Sequence, residues 1–502
     1  MRPRKITPTQ LALFSRSPIV GAWWEELKSQ GLFKDKRPED TELDKQLFID
    51  GLRHEEVLIK KLKKKGFRIA ELDGKQNESN YKATKQAMSD GYDFIWQASL
   101  TNEEMRGSAD LLKKVQGSSP FGNWSYQPIE CKLSSKTKTT FLVQACAYCD
   151  LLSPLLKKRP KQFELYLGGG KFKEFETDKF WYWYQLLRER YRDFQNSFNP
   201  NNAPIDNPGD HGSWAAFIQE RLEASRDLVT VAKMRQTQRL KLKEAGIHTI
   251  DDLAELKEGT KIQGLRQEAL NDLKEQAKLQ VKPKGPDEKP NYLLKKIVEG
   301  KGLTILPKQN QGDIWFDLEG VQDPVLGTQL EYLIGLCYKD ESDDSCIYKA
   351  WWAHSPSEEK QAFENWVQWV ENRLKRYPDL KIYHYGSYEK TAIRRLAQQY
   401  STKEIIIDQW LRYSLLVDLL PIVTSSIVLG EDSYSIKKVE KLYMENRDAD
   451  VKTAGDSVVA YRNWSDSGEP NIPGILPTGS PQLKIIEDYN REDCESTKLL
   501  HD

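Results

Sequence analysis

The chain has 502 residues, with 75 Lys+Arg against 75 Asp+Glu, a length that allows about three domains. No apolar run approaches the ~20 residues of a membrane span, and the basic start Met1-Arg2-Pro3-Arg4-Lys5 leads into no apolar segment, so a cytoplasmic protein without a signal peptide is expected. The formal charge of zero hides an asymmetry: residues 1–300 carry 52 basic and 42 acidic side chains, residues 301–502 carry 23 and 33. A basic first part suits a polyanionic partner, and an acidic second part suits a carboxylate cage for divalent metal.

In chain order, the first predicted element is a helix over Pro8–Arg16, capped by Thr7 or Thr9. Trp23-Trp24 reads as core. A helix over residues 45–65 carries His54-Glu55. Phe94–Ala98 reads as a strand, and Arg106–Leu112 as its hairpin partner, bringing in Asp110. Pro128-Ile129-Glu130-Cys131-Lys132-Leu133 follows. On an extended strand Glu130 and Lys132 share one face. The same E-x-K spacing at Glu26/Lys28, Glu255/Lys257 and Glu358/Lys360 falls in helical stretches, where the two side chains diverge. Next comes a helix with Gln144 and Tyr148 one turn apart, then a strand at residues 163–167 and an aromatic-rich helix at 180–196.

A carboxylate that holds a divalent ion beside an ammonium that positions water is a phosphodiester-cleaving combination. The order His54, Asp110, Glu130-x-Lys132, Gln144-xxx-Tyr148 resembles the RecB-type branch of the PD-(D/E)XK nucleases. The resemblance implies that His54, Asp110 and Glu130 ligate metal, that Lys132 is the catalytic lysine, and that Gln144 and Tyr148 contact DNA and brace the site. Many such nucleases hold an iron–sulfur cluster through one cysteine near the first helix and three after the core. Here Ser17-Pro18 follows the first helix and residues 150–336 contain no cysteine, so no iron–sulfur cluster is expected. Cys146 and Cys149 read as buried thiols.

Asn199–Gly212 and Lys282–Pro290 have linker chemistry, and residues 212–280 between them read as all helical. Leu240–Ala254 resembles a helix-hairpin-helix unit, with Gly246 ending one helix, Ile247 plugging the core and Thr249 capping the next. A second turn follows at Gly264. The resemblance implies backbone amides facing a DNA phosphate; the alternative is a plain helical spacer.

The last part opens on Asp313–Gly320, a strand with Asp317 and Glu319 on one face. Strands near 332–338 and 346–353, a helix over Glu358–Arg376, and a strand at Lys381–Tyr385 running into a helix at Tyr388-Glu389 come next. A final helix puts Tyr489 and Asp493 one turn apart. This order resembles the DEDDy exonucleases of RNase H-like fold, which implies metal binding by Asp317, Glu319, Glu389 and Asp493 and a water-orienting Tyr489. Glu389 departs from the usual Asp at the third acid. Ser435–Val439 reads as packing, Asp418 as a helix cap with an extra acid of the site as the alternative, and Ser465–Pro481 as a surface loop.

The whole resembles the bacterial RecB-like nuclease family. The implied architecture is α/β multidomain: a PD-(D/E)XK restriction-endonuclease-like core at 1–199, a helical DNA-binding module at 200–290, and an RNase H-like 3′–5′ exonuclease domain at 291–502. The implied activity is Mg²⁺- or Mn²⁺-dependent hydrolysis of single- or double-stranded DNA at two separate sites. A DNA-repair setting fits that activity. An RNA-processing exonuclease, or a nucleic-acid-binding scaffold with inactive sites, is the alternative.

Overall fold

The computed structural model describes residues 4–35, 39–285, 288–322, 328–340, 345–445, 453–467 and 480–502. They gather into two compact units, Met1–Arg221 with Gln322–Thr328, and Leu222–Val321 with Gln329–Asp502. The architecture is mixed α/β in both.

The first unit is built on six strands hydrogen-bonded in chain order: β1 (Ile69–Glu71), β2 (Phe94–Thr101), β3 (Arg106–Ser119), β4 (Gly122–Lys132), β5 (Gln162–Leu167) and β6 (Lys171–Glu176). β2, β3 and β4 form an antiparallel meander, while β4 pairs with β5 in parallel through a crossover helix. The helices are α1 (Pro8–Arg16), α2 (Val20–Ser29), α3 (Glu42–Lys64), α4 (Glu78–Ser89), α5 (Thr139–Leu156) and α6 (Asp178–Ser197). Thr7 caps α1 in a capping box. Leu58, Ile59 and Leu62 of α3 pack with Ile129, Cys131 and Tyr166, whereas Val143, Cys146 and Leu151 of α5 pack with Ile95, Ala98 and Leu112. The alternation along β4 therefore reaches two different cores, which fixes the strand register.

α5 corrects one expectation. By length and composition it is apolar enough to cross a membrane. Its apolarity has a different cause, because it is the crossover helix and nine of its residues are buried in the core.

The second unit begins with helices: α7 (Ala215–Ala224) leads into it, followed by α8 (Gln236–Glu244), α9 (Ile250–Ala254) and α10 (Gln267–Val281). Leu242, Ile247, Ile250, Leu253, Leu270 and Leu273 make their core. Gly246 has φ +82° and Gly264 φ +74°, backbone that only glycine adopts without strain. Asp227, buried, takes two hydrogen bonds from Arg239 at 2.6 and 2.7 Å and one from Lys243 at 2.6 Å.

A five-stranded sheet follows, ordered β10-β9-β8-β11-β12: β8 (Ile314–Gln322), β9 (Gln329–Lys339), β10 (Cys346–Trp352), β11 (Ile382–His384) and β12 (Leu416–Asp418). β11 is parallel to both β8 and β12. A short β7 (Tyr292–Leu294) pairs with β13 (Ile427–Leu429) outside it. Helices α11 (Pro356–Arg376), α12 (Tyr388–Tyr400) and α13 (Glu404–Arg412) supply Trp366, Val370, Leu396 and Trp410 to the core under Ile314, Phe316 and Leu318. The remaining helices are α14 (Leu419–Ser426), α15 (Ile436–Val439), α16 (Ala454–Ser467) and α17 (Pro481–His501). Cys494 of α17 packs with Trp315 and Tyr383, so β8 is covered by different partners according to parity. Of the expected Ser465–Pro481 loop, Ser465–Ser467 close α16, Pro481 opens α17, and residues 468–479 lie outside the described residues.

Candidate active sites

The antiparallel ladder between β3 and β4 ends at Leu111 and Ile129. One step on, the strands part. There the Asp110 carboxylate, in place of a β3 carbonyl, accepts the Cys131 N–H at 2.8 Å. Glu130, almost wholly buried, meets the Lys132 ammonium at 2.5 Å, as its place two residues away on one strand dictates. Its other oxygen, Oε2, is buried with no hydrogen-bond partner. Lys132 also lies 5.7 Å from the Phe141 ring centre, in the first turn of α5.

Burial, then the neighbouring Asp110, pushes the Glu130 carboxyl up to about 8, and burial raises Asp110 as well. For Lys132, burial works against its charge but the Glu130 and Asp110 carboxylates outweigh it and hold the ammonium above its usual range. Glu55 joins this electrostatic group. It accepts hydrogen bonds from Trp96 at 3.0 Å and Gln97 at 2.7 Å, and burial together with Asp110 lifts it to about 7.

His54 is buried on α3, with its ring stacked on Tyr166 at 4.5 Å and its Nε2 3.5 Å from the Tyr166 carbonyl oxygen. Gln144 and Tyr148 share a face of α5. Tyr148 donates to the Ser108 carbonyl at 2.6 Å, which ties the helix to β3 two residues from Asp110.

In the second unit, Asp317, Glu319 and Asp493 bring one carboxylate oxygen each within 4.8 Å of one another. Among the described residues this is the one set of three or more His, Cys, Asp or Glu groups so gathered. His54, Asp110 and Glu130 do not close to that spacing, and Glu389 does not join the triad. The reason at Glu389 is local. It is buried in the first turn of α12 with Oε2 3.3 Å from His384 Nδ1, at the end of β11. Its charge still acts on Asp317.

Asn490 donates to Asp317 at 2.8 Å and accepts from the Tyr348 hydroxyl at 2.8 Å, a relay that fixes one face of the carboxylate. Glu319 is bonded by Ser457, whose hydroxyl also meets the Tyr332 hydroxyl at 2.7 Å. Lys437 is ion-paired with Asp493 and lies 4.3 Å from the Tyr489 ring centre. This corrects the reading of Ser435–Val439 as packing alone, because the short α15 turns Lys437 onto the cluster. Asp418 does cap α14, accepting from Leu420 and Gly386 at 2.9 Å each. Burial, then Asp493, raises Glu319 to about 8; burial and the surrounding carboxylates push Asp317 well above its ordinary range. Burial and Asp493 raise the Tyr489 hydroxyl.

Asp317 and Glu319, whose carboxyls are both raised, are costly to charge there unless a cation is bound beside them. An all-oxygen donor set of this kind fits a hard divalent ion such as Mg²⁺ or Mn²⁺. The Glu130 and Asp110 pair, with one orphaned oxygen, fits the same class.

Sequence reasoning passed over Glu55, Lys437, Asn490 and Ser457. A signal existed for Asn490, which lies three residues before Asp493 on the same helix face. None marks Ser457, which reaches the site from a separate helix.

Residues 314–502 match a family model described as the RNase_H superfamily. No curated protein matches the chain. The matched segment runs from β8 to α17 and so contains all three acids of the triad, Tyr489 and Lys437. It is a nuclease-type fold, and its family acts on nucleic acid through divalent metal.

Proposed function

We propose that the chain is a Mg²⁺- or Mn²⁺-dependent nuclease, an exonuclease acting on DNA, with two separate sites. The observation that supports it most is the convergence of Asp317, Glu319 and Asp493 within 4.8 Å on an RNase H-like fold. When bound there, divalent ions would supply a clamp on the attacking and leaving oxygens of the phosphodiester. Asp317, Glu319 and Asp493 hold them, Asn490 fixes the orientation of Asp317, and Tyr489 orients the water. In the first unit, a RecB-like PD-(D/E)XK site, Asp110 and Glu130 would hold the ion, His54 would have to leave its place against Tyr166 to join them, and Lys132 positions the water and offsets phosphate charge. Gln144 and Tyr148 brace that site against DNA, and the turns at Gly246 and Gly264 offer backbone amides to phosphates.

The Lys437–Asp493 ion pair favours a second reading, in which the ammonium stands in for a cation and the fold grips nucleic acid without cutting it. End-labelled single- and double-stranded DNA and RNA, incubated with Mg²⁺ or Mn²⁺, separate the two. Metal-dependent shortening of DNA that Asp317→Ala or Lys132→Ala reduces supports the nuclease. Retention of labelled DNA without shortening, under every metal, supports the scaffold. Shortening confined to RNA supports an RNA-processing enzyme.

A further inference from the structure

The Glu389–His384 contact is unusual in what it leaves open. Both groups are buried, His384 at 1% exposure and Glu389 at 5%. His384 Nδ1 and Glu389 Oε2 are 3.3 Å apart, yet they are not aligned for a hydrogen bond, and neither atom has another partner. His384 Nε2 is buried without a partner too. Buried polar groups are normally satisfied, so three orphaned atoms in one place call for an occupant.

The local backbone explains why the two groups meet. β11 ends on His384, Gly386 turns the chain at φ +102°, and Glu389 lies in the first turn of α12. Asp418 accepts the Gly386 N–H at 2.9 Å and holds that turn. The pair is therefore preset by strand, turn and helix, and its spacing is informative. Two ligands on one ion with bonds of about 2.0–2.2 Å stand roughly 3.0–3.4 Å apart. An imidazole nitrogen and a carboxylate oxygen both offer lone pairs, and at 3.3 Å they stand too close together for one water to donate to both at ordinary hydrogen-bond length and angle, whereas one cation accepts both.

We propose that His384 and Glu389 form a second cation site beside the Asp317–Glu319–Asp493 triad. It takes a first-row ion that accepts nitrogen ligands, such as Mn²⁺, in preference to Mg²⁺. The proposal rests on the reading of the triad as a metal centre and adds a nitrogen ligand that the acid pattern alone does not contain. The chemical consequence is a metal preference written by His384. With imidazole in the set, Mn²⁺ fills both positions, whereas Mg²⁺ fills the all-oxygen one.

The test uses the full-length chain, stripped of metal with chelator and titrated with Mn²⁺, with free Mn²⁺ read by electron paramagnetic resonance. The expected result is that His384→Gln and Glu389→Gln each remove one equivalent of bound Mn²⁺, or weaken that class of site at least tenfold. An unchanged complement and affinity in both variants would overturn the proposal. Asp317→Ala is measured alongside. If it loses Mn²⁺ while His384→Gln does not, only this proposal fails; if Asp317→Ala loses none, the metal reading of the triad fails first. A second measurement leaves His384 intact. In the His54→Ala protein loaded with Mn²⁺, pulsed resonance should show coupling to an imidazole nitrogen, and its absence overturns the proposal whatever the variants do.

Discussion

The two carboxylate clusters neutralise themselves differently. In the first unit the strand that carries Glu130 also carries its counter-charge, with Lys132 held at 2.5 Å by the same two-residue period. In the second, Asp317, Glu319 and Asp493 come from a strand and a distant helix, and an ammonium, Lys437, touches Asp493 from a third element. A cluster with an inbuilt cation can persist without metal. A cluster of three acids gathered from afar leans on protons or divalent ions; the carboxyls are raised in both clusters, at Glu130 and Asp110 as at Asp317 and Glu319, so the difference lies in where the counter-charge comes from.

The largest effect that would break this contrast is on cleavage. Asp317→Ala should lower metal-dependent degradation of DNA by at least about 100-fold at the second site, since a removed charge-stabilising group typically costs that much. Gel quantitation in the Lys132→Ala background isolates it. Next is stability at the first site. Lys132→Ala leaves Glu130 buried without its counter-charge, a loss of about 3 kcal/mol at pH 8 in denaturant unfolding. The loss should shrink at pH 5, where Glu130 takes a proton.

The pH dependence sharpens the comparison further. Glu319 titrates near 8 when folded against an ordinary 4.5, so the folded chain holds more protons between those values. Stability of the metal-free protein therefore falls as pH rises from about 4.5 to 8. Glu130, near 8, and Glu55, near 7, act in the same sense. Melting curves across that window should show the decline, and Glu319→Gln should remove its own share of it, leaving the part due to Glu130 and Glu55.

A smaller effect tests Lys437. Lys437→Met removes a charged contact to a buried carboxylate and should cost about 1.5 kcal/mol without metal, less with it. The smallest is a control away from both clusters. Gly246→Ala places a side chain at φ +82° and should cost about 1 kcal/mol by calorimetry while leaving metal binding unchanged.

What could be read from the chain depended on distance along it. The two-residue period put Glu130 with Lys132 and Asp317 with Glu319, and the helical period put Tyr489 with Asp493. The strand and helix of each pair are present as read. Asp110 was reachable because a hairpin joins its strand to the sheet. Lys437 and Ser457 were not, because each arrives through space from its own helix and no periodicity ties it to the acids. Glu55 was named beside His54 but given no role, because it points about 100° around the helix from it. α5 shows the reverse failure, where composition alone cannot separate a crossover helix buried in a core from one surrounded by lipid.

The most direct measurement is degradation of end-labelled DNA by the Lys132→Ala, Asp317→Ala and doubly substituted proteins in Mn²⁺. Two independent metal-dependent sites predict partial activity in each single variant and none in the double. Cleavage by the double variant at the unsubstituted rate would contradict the account.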